Sequence, residues 1–205
     1  MGKNNANLVN QTSGKVEYYT PPEWTDAARQ ALGTIELDPA SCATANDNVK
    51  AVRFFTKHDD GLAQPWTAAT LWMNHPFHRG EKACPMPHTK CRKKTCIDRG
   101  HHIDHAIPSN DDWISKLLAE YQAGNVKEAI IITFANTSES WFKKLLPFPQ
   151  CMPNKRVHYY KPDGSLDKNC TKGSAITYLG PNLDTFAAVF SRLGTIKIEY
   201  KKGQA

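Results

Sequence analysis

The sequence predicts a three-layer α/β domain built on a mostly parallel sheet, and three observations lead there. Segments of helical and strand period alternate along the chain from Thr20 onward. Ala129-Ile130-Ile131-Ile132-Thr133-Phe134 is a continuous apolar run, the pattern of a strand covered on both faces. Two short strand candidates, at 34–37 and 70–73, each run into a polar turn containing proline. The carboxyl ends of strands are where open α/β sheets bind their ligands.

Taken in order, residues 1–19 are polar, rich in Asn and without a sustained period, so they read as a flexible arm. One domain is then expected over 20–205; 205 residues, 40% of them hydrophobic, suit a single full core. Trp24, Ala27, Ala28, Ala31 and Leu32 recur at helical spacing. Thr20 is placed to cap that helix, Pro21 and Pro22 fit its opening turn, and Gly33 stops it. The strand at 34–37 is closed by Asp38-Pro39, since proline disfavours helix at the residue before it and cannot donate to a ladder. The strand at 70–73 is closed by Asn74-His75-Pro76-Phe77.

Ser109 with Asp112 three residues on forms a capping-box start for a helix carrying Trp113, Leu117, Leu118 and Tyr121, and Gly124 ends it. After the apolar strand, 138–146 suits a short helix. Strands are expected at 156–160 and 174–179, joined through Asp163-Gly164. Residues 183–193 read as a helix capped by Gly194, and 195–200 alternate as a last strand. There is no internal repeat and no low-complexity tract.

No apolar run approaches the ~20 residues of a membrane span, and the first residues lack a secretory h-region, so a membrane or secreted role is not expected. Lys and Arg outnumber Asp and Glu by 26 to 20, a net charge of +6, which favours a polyanionic partner. The six cysteines do not have the even spread of a disulfide scaffold. Cys42, Cys151 and Cys170 are isolated, whereas Cys84, Cys91 and Cys96 lie among histidines, pointing to a reducing compartment and a local metal site.

The turn at 74–77 has the chemistry to hold an aromatic amine. An Asn74 side-chain oxygen and a neighbouring main-chain carbonyl, stiffened by Pro76, can accept both hydrogens of an exocyclic amine, and Phe77 can stack on the ring that carries it. Such acceptors free the nitrogen lone pair for attack on an electrophile without a strong base. A plain strand-terminating turn is the alternative.

The order of segments around this turn resembles the phage-type DNA adenine N6-methyltransferases, S-adenosylmethionine-dependent enzymes of phages and prophages. The resemblance runs from Thr20 to about Ile198. It rests on Thr20-Pro21, Glu36-Leu37-Asp38-Pro39-Ala40-Ser41, Asp60-Gly61-Leu62 with Trp66, and Leu71-Trp72-Met73 before Asn74-His75-Pro76-Phe77. It continues through Cys96 to His102, Pro108-Ser109 with Asp112-Trp113, Ile132 to Ala135, Ser138 to Phe142, Phe148 to Cys151, and Gly180-Pro181 near Phe186.

The resemblance implies a Rossmann-like methyltransferase sandwich that moves a methyl group from S-adenosylmethionine to N6 of adenine in DNA, with the base flipped out to be reached. Asn74, His75, Pro76 and Phe77 match the catalytic segment. Asp38, Pro39, Ala40 and Ser41 match the segment receiving the methionine part of the cofactor, Thr20 and Pro21 an element lying against it, and Asp60 an acidic residue in the following loop. A phage- or prophage-encoded enzyme acting in the host cytoplasm follows from the same likeness. Two features depart from the pattern: the glycine-rich signature of many methyltransferases is missing, and His75 stands where the family has proline. The second position contributes its main-chain carbonyl, so the acceptor survives while a stiff ring is lost.

Between this turn and the Asp112 helix lies a basic, Cys/His-rich insert, 78–106. Cys84, Cys91, Cys96 and one of His101 or His102 would make a Cys₃His zinc site, fixing a segment too poor in apolar side chains to fold alone. Arg79, Lys82, Arg92, Lys93 and Lys94 put positive charge beside the turn, where a DNA backbone would run. N4 of cytosine offers a similar amine, and a zinc-stabilised nucleic-acid-binding protein with a decayed site is a reading of another class.

Overall fold

The structure is a computed structural model that describes residues 18–99, 102–168 and 170–200. Its first half comprises α1 (Pro22–Leu32), β1 (Leu37–Asp38), α2 (Ala43–Val49), β2 (Arg53–Phe54), β3 (Ala68–Met73) and β4 (Arg79–Glu81). A short 3₁₀ turn at His88–Lys90 and α3 (Lys94–Arg99) lead to β5 (Ile107–Ser109) and α4 (Asn110–Gln122). The second half comprises β6 (Val126–Phe134), α5 (Ser140–Lys143), β7 (Gln150–Pro153), β8 (Ser174–Leu179), α6 (Leu183–Phe190) and β9 (Gly194–Lys197).

Seven strands form one sheet in the order β2-β1-β3-β6-β8-β7-β9. The first four run parallel, and β8, β7 and β9 then alternate, so five of seven share a direction. The period-2 pleat sorts their side chains into two cores. Leu71, Met73, Ala129, Ile131 and Leu179 face Trp113, Ile114 and Leu117 of α4 and Trp141 and Phe142 of α5. Trp72, Ile130, Ile132, Ile176 and Tyr178 face Trp24, Ala27 and Ala28 of α1 and Phe186 and Phe190 of α6. Those two cores make the three layers. The mixed α/β sheet is compatible with a Rossmann-like fold.

From β1 the chain winds outward to β2 and then returns to place β3 on the other flank of β1. The strand order therefore reverses between β1 and β3. The crevice beyond their carboxyl ends holds Asp38, the last residue of β1, and Asn74, the residue after β3.

Several expectations need correction. Thr20 does not cap α1: the N-cap is Pro21, with no side-chain cap bond, and the Thr20 hydroxyl is used elsewhere. The strand expected at 34–37 is regular only over Leu37–Asp38, although Ile35 and Glu36 already share backbone bonds with Val52, Arg53 and Thr70, so Asp38 belongs to the strand rather than to the turn after it. Residues 156–160 form no sheet strand; Gln150–Pro153 takes that place, its pattern hidden by flanking prolines. Gly194 does not cap α6 but opens β9, where a Cβ would stand 2.2 Å from the Met152 carbonyl oxygen. The capping box forms as expected: Asp112 N–H donates to Ser109 Oγ, and Asp112 Oδ2 accepts from Ser109 N–H at 2.7 Å.

Candidate active site and metal cluster

The segment entering α1 crosses both strand ends. Tyr19 pairs with Tyr160 through backbone bonds of 2.8 and 2.9 Å and lies beside the Cys42 thiol, while Thr20 reaches Asn74. Tyr18 and Tyr19, the last residues of the expected arm, thus belong to a strap over the crevice. Asn74 Nδ2 donates to Thr20 Oγ1 at 3.0 Å and points toward the Tyr18 carbonyl at 3.5 Å. A carbonyl only accepts, which fixes the amide orientation and leaves Asn74 Oδ1 as the acceptor.

His75 is buried, at 2% exposure. Its ring stacks on Trp113 at 6.2 Å and meets Phe77 edge-on at 5.2 Å. Nε2 lies 3.0 Å from Asn110 Oδ1, so Nε2 carries the hydrogen. Burial pushes the imidazole down to about 4, which keeps the ring neutral at pH 7 despite the Asn110 bond. The His75 ring thus fills a place between the turn and α4. Pro76 is exposed and Phe77 half-buried. One side of Phe77 packs on Phe134 at 4.3 Å and approaches Tyr159 at 6.5 Å.

Asp38 is 2% exposed. Burial pushes its carboxyl up to about 7, against the lowering effect of the Ala40 N–H that donates to Oδ1 at 3.1 Å. None of the ion pairs among the described residues includes it. A buried, unpaired carboxylate at the mouth of a crevice is costly unless a cation arrives to meet it. Asp60 is exposed, with a positive φ of 52°, and Gly61 brings its loop against the β1 end. A Cβ on Gly61 would stand 2.0 Å from the Pro39 carbonyl oxygen. Trp66 Nε1 donates to the Gly61 carbonyl at 2.7 Å and pins the loop from beneath.

The insert grows from the β4–β5 hairpin. Asn110 N–H donates to the His78 carbonyl at 2.7 Å at its base, and Cys84 N–H to the Ile103 carbonyl at 2.8 Å farther out. Cys84, Cys91, Cys96 and His102 converge there with ligand atoms within 4.8 Å of one another. Tetrahedral zinc with Zn–S bonds of about 2.3 Å needs ligand separations of about 3.8 Å. His102 Nε2 lies 3.5 Å from Asp104 Oδ1, a carboxylate able to fix the ring's tautomer. His101, the other expected candidate, lies outside the described residues. Arg79, Lys82, Arg92, Lys93 and Lys94 are all exposed around this cluster.

The model of the DNA N-6-adenine-methyltransferase (Dam) family matches residues 10–147, more than half of the chain. The protein belongs to this family. Membership gives methyl transfer as the reaction class and DNA as the substrate. The matched stretch of this methyltransferase holds Asp38, Asp60, the 74–77 turn and the whole insert, and leaves out β7, β8 and β9. No curated protein and no solved structure gives a significant match to it. No helix among its described residues is long and apolar enough to cross a membrane.

Sequence reasoning missed Phe134, Tyr159, Asn110 and the strap residues Tyr18 and Tyr19. Phe134 alone carried a signal, as the last residue of a strand expected to lie in the sheet centre. The others reach the crevice through tertiary packing.

Proposed function

We propose that this methyltransferase transfers the methyl group of S-adenosylmethionine to N6 of adenine in DNA at the Asn74-His75-Pro76-Phe77 turn. The observation that carries the reading is the Asn74 amide, held by Thr20 from behind so that Oδ1 is the acceptor at the sheet's switch point. Asn74 Oδ1 and the His75 main-chain carbonyl accept the two amine hydrogens, drawing the nitrogen toward tetrahedral geometry. Phe77, with one side spent on Phe134, offers its remaining surface to the adenine ring. The chain's contribution is placement of the amine and acceptance of its hydrogens.

Asp38 supports the cofactor assignment, because its buried carboxylate suits an α-amino group and has only the Ala40 N–H and the Ser41 side chain as partners, with no cation in an ion pair among the described residues. S-adenosylmethionine, when bound, supplies a methyl group made electrophilic by its sulfonium. Asp38 would hold its amino group, with Pro39, Ala40 and Ser41 around the methionine part, Thr20 and Pro21 covering it, and Asp60 in the adjoining loop. Cys84, Cys91, Cys96 and His102 would hold one structural zinc ion, and Arg79, Lys82, Arg92, Lys93 and Lys94 would contact DNA phosphates.

The test is mass analysis of nucleosides from DNA incubated with the protein and methyl-labelled cofactor. Labelled N6-methyladenine is the expected product. Labelled N4-methylcytosine would reassign the base. No product together with no cofactor binding would leave a zinc-stabilised nucleic-acid-binding protein.

A further inference from the structure

We infer that the loop joining β7 to β8, residues 154–173, is a second DNA-contacting surface, facing the nucleic acid across the crevice from the Cys/His insert. The inference rests on the proposed function, and it concerns a segment outside the 10–147 family match.

The topology puts this loop at the right end of the sheet. β7 runs with β6, and β8 runs against it, so the loop between them stands at the same carboxyl edge as Asn74. It belongs to the opposite face from the insert. Val157 and Tyr159 enter the core lined by α1 and α6, and Tyr160 is bridged to Tyr19 of the strap. The insert instead hangs from the hairpin at the start of α4, whose Trp113 lies in the other core. Phe77 touches groups from both walls: His75, whose ring stacks on Trp113, and also Phe134 and Tyr159.

The charge on this second wall suits phosphate. Residues 154–173 carry Lys155, Arg156, Lys161, Lys168 and Lys172 against Asp163 and Asp167. Asp167 is buried and bonded to the Tyr18 hydroxyl, and with both acids counted the loop keeps a net charge of +3. Lys155, Arg156 and Lys168 are exposed, and Lys161 and Lys172 half-buried. Arg156 donates to the Thr171 carbonyl, tying the two ends of the loop together. Lys172 Nζ sits 5.1 Å from the Phe134 ring centroid, and Phe134 packs directly on Phe77. A flipped nucleotide remains joined to the strand through a phosphate on either side, and a base reaching Phe77 brings both to the crevice. Cations on one wall alone would meet only half of that backbone.

The experiment compares the full chain with two variants, binding a short adenine-containing duplex over a series of salt concentrations by fluorescence anisotropy. One variant combines Lys161→Ala, Lys168→Ala and Lys172→Ala; the other combines Lys93→Ala and Lys94→Ala in the insert. The loop variant should lower the log–log salt slope by about 2–3, with affinity lower by about tenfold or more, while melting temperature and cofactor affinity stay at wild-type values. A loop variant with wild-type slope, beside an insert variant whose slope has fallen, overturns this inference and leaves the proposed function standing. A wild type that binds no DNA overturns both.

Discussion

Asn74 spends its amide hydrogens on the strap and leaves its oxygen as an acceptor, so the role proposed for it can be separated from the fold. Asn74→Ala should abolish labelled methyl transfer, by about a hundredfold or more, with a melting temperature near wild type. Transfer near the wild-type rate would remove Asn74 from the chemistry. Asp38 makes a pH prediction with a definite sign. Burial holds its carboxyl at about 7 instead of the ordinary 3.8. Below that pH the group is protonated and offers no charge to the cofactor ammonium that it is proposed to hold. Cofactor affinity should therefore rise as pH climbs through about 7 and level off above it. Asp38→Asn should bind weakly and without this pH dependence, which calorimetry at a series of pH values can read. In the cofactor-free protein the folded state keeps a proton on Asp38 that the unfolded chain has lost, so this residue's contribution to stability falls with pH between about 4 and 7. At pH 8 cofactor-free Asp38→Asn should melt above wild type. His75 acts in the opposite sense, adding stability as pH rises from about 4 to 6.5, because its folded pKa lies below its unfolded one.

Among the elements, two loops decide what the strand ends can hold. The Asp60-Gly61 loop is packed so closely on Pro39 that a methyl group has no room, and the clash is with backbone rather than a movable side chain. Gly61→Ala should cost about 1–3 kcal/mol of stability in denaturant melts and weaken cofactor binding, since the β1 end must shift. Unchanged cofactor affinity would mean that the loop only bounds the site. The insert makes the second test. Elemental analysis of protein purified without an affinity tag should find about one zinc per chain, and Cys96→Ser should lose it. DNA binding should fall in that variant much more than cofactor binding, because Asp38 stands on a separate strand end. Metal-free protein with all thiols reduced would leave the insert without its proposed staple.

For the molecule as a whole, a net charge of +6 and a cluster of exposed cations beside the crevice make affinity for DNA a salt-dependent quantity. Lys93→Ala with Lys94→Ala should weaken binding to unrelated sequences alike and flatten the salt slope by about 2. An unaltered slope would return these lysines to the role of a solvated face. Sequence-specific discrimination should survive the change, since phosphate contacts position a duplex without reading it.

What the sequence determined by itself was whatever local chemistry dictates. The 3.6-residue period of α1, the Ser109–Asp112 capping box and the apolar run of β6 are each written within about a dozen residues, and each formed. The 74–77 turn and the Cys/His set were legible for the same reason, as short runs of residues with distinctive chemistry. Elements of two to four residues, such as β1, β2 and β7, were misplaced or unseen, because so short a strand has no period and is fixed by the neighbours it pairs with. The tertiary structure alone decided that Thr20 orients Asn74 instead of capping a helix, that His75 is buried between Phe77 and Trp113, and that Val157 and Tyr159 enter the core on the α1 side of the sheet. Those relations join residues up to about a hundred positions apart. No local propensity encodes them, since they arise only when two cores close on opposite faces of one sheet.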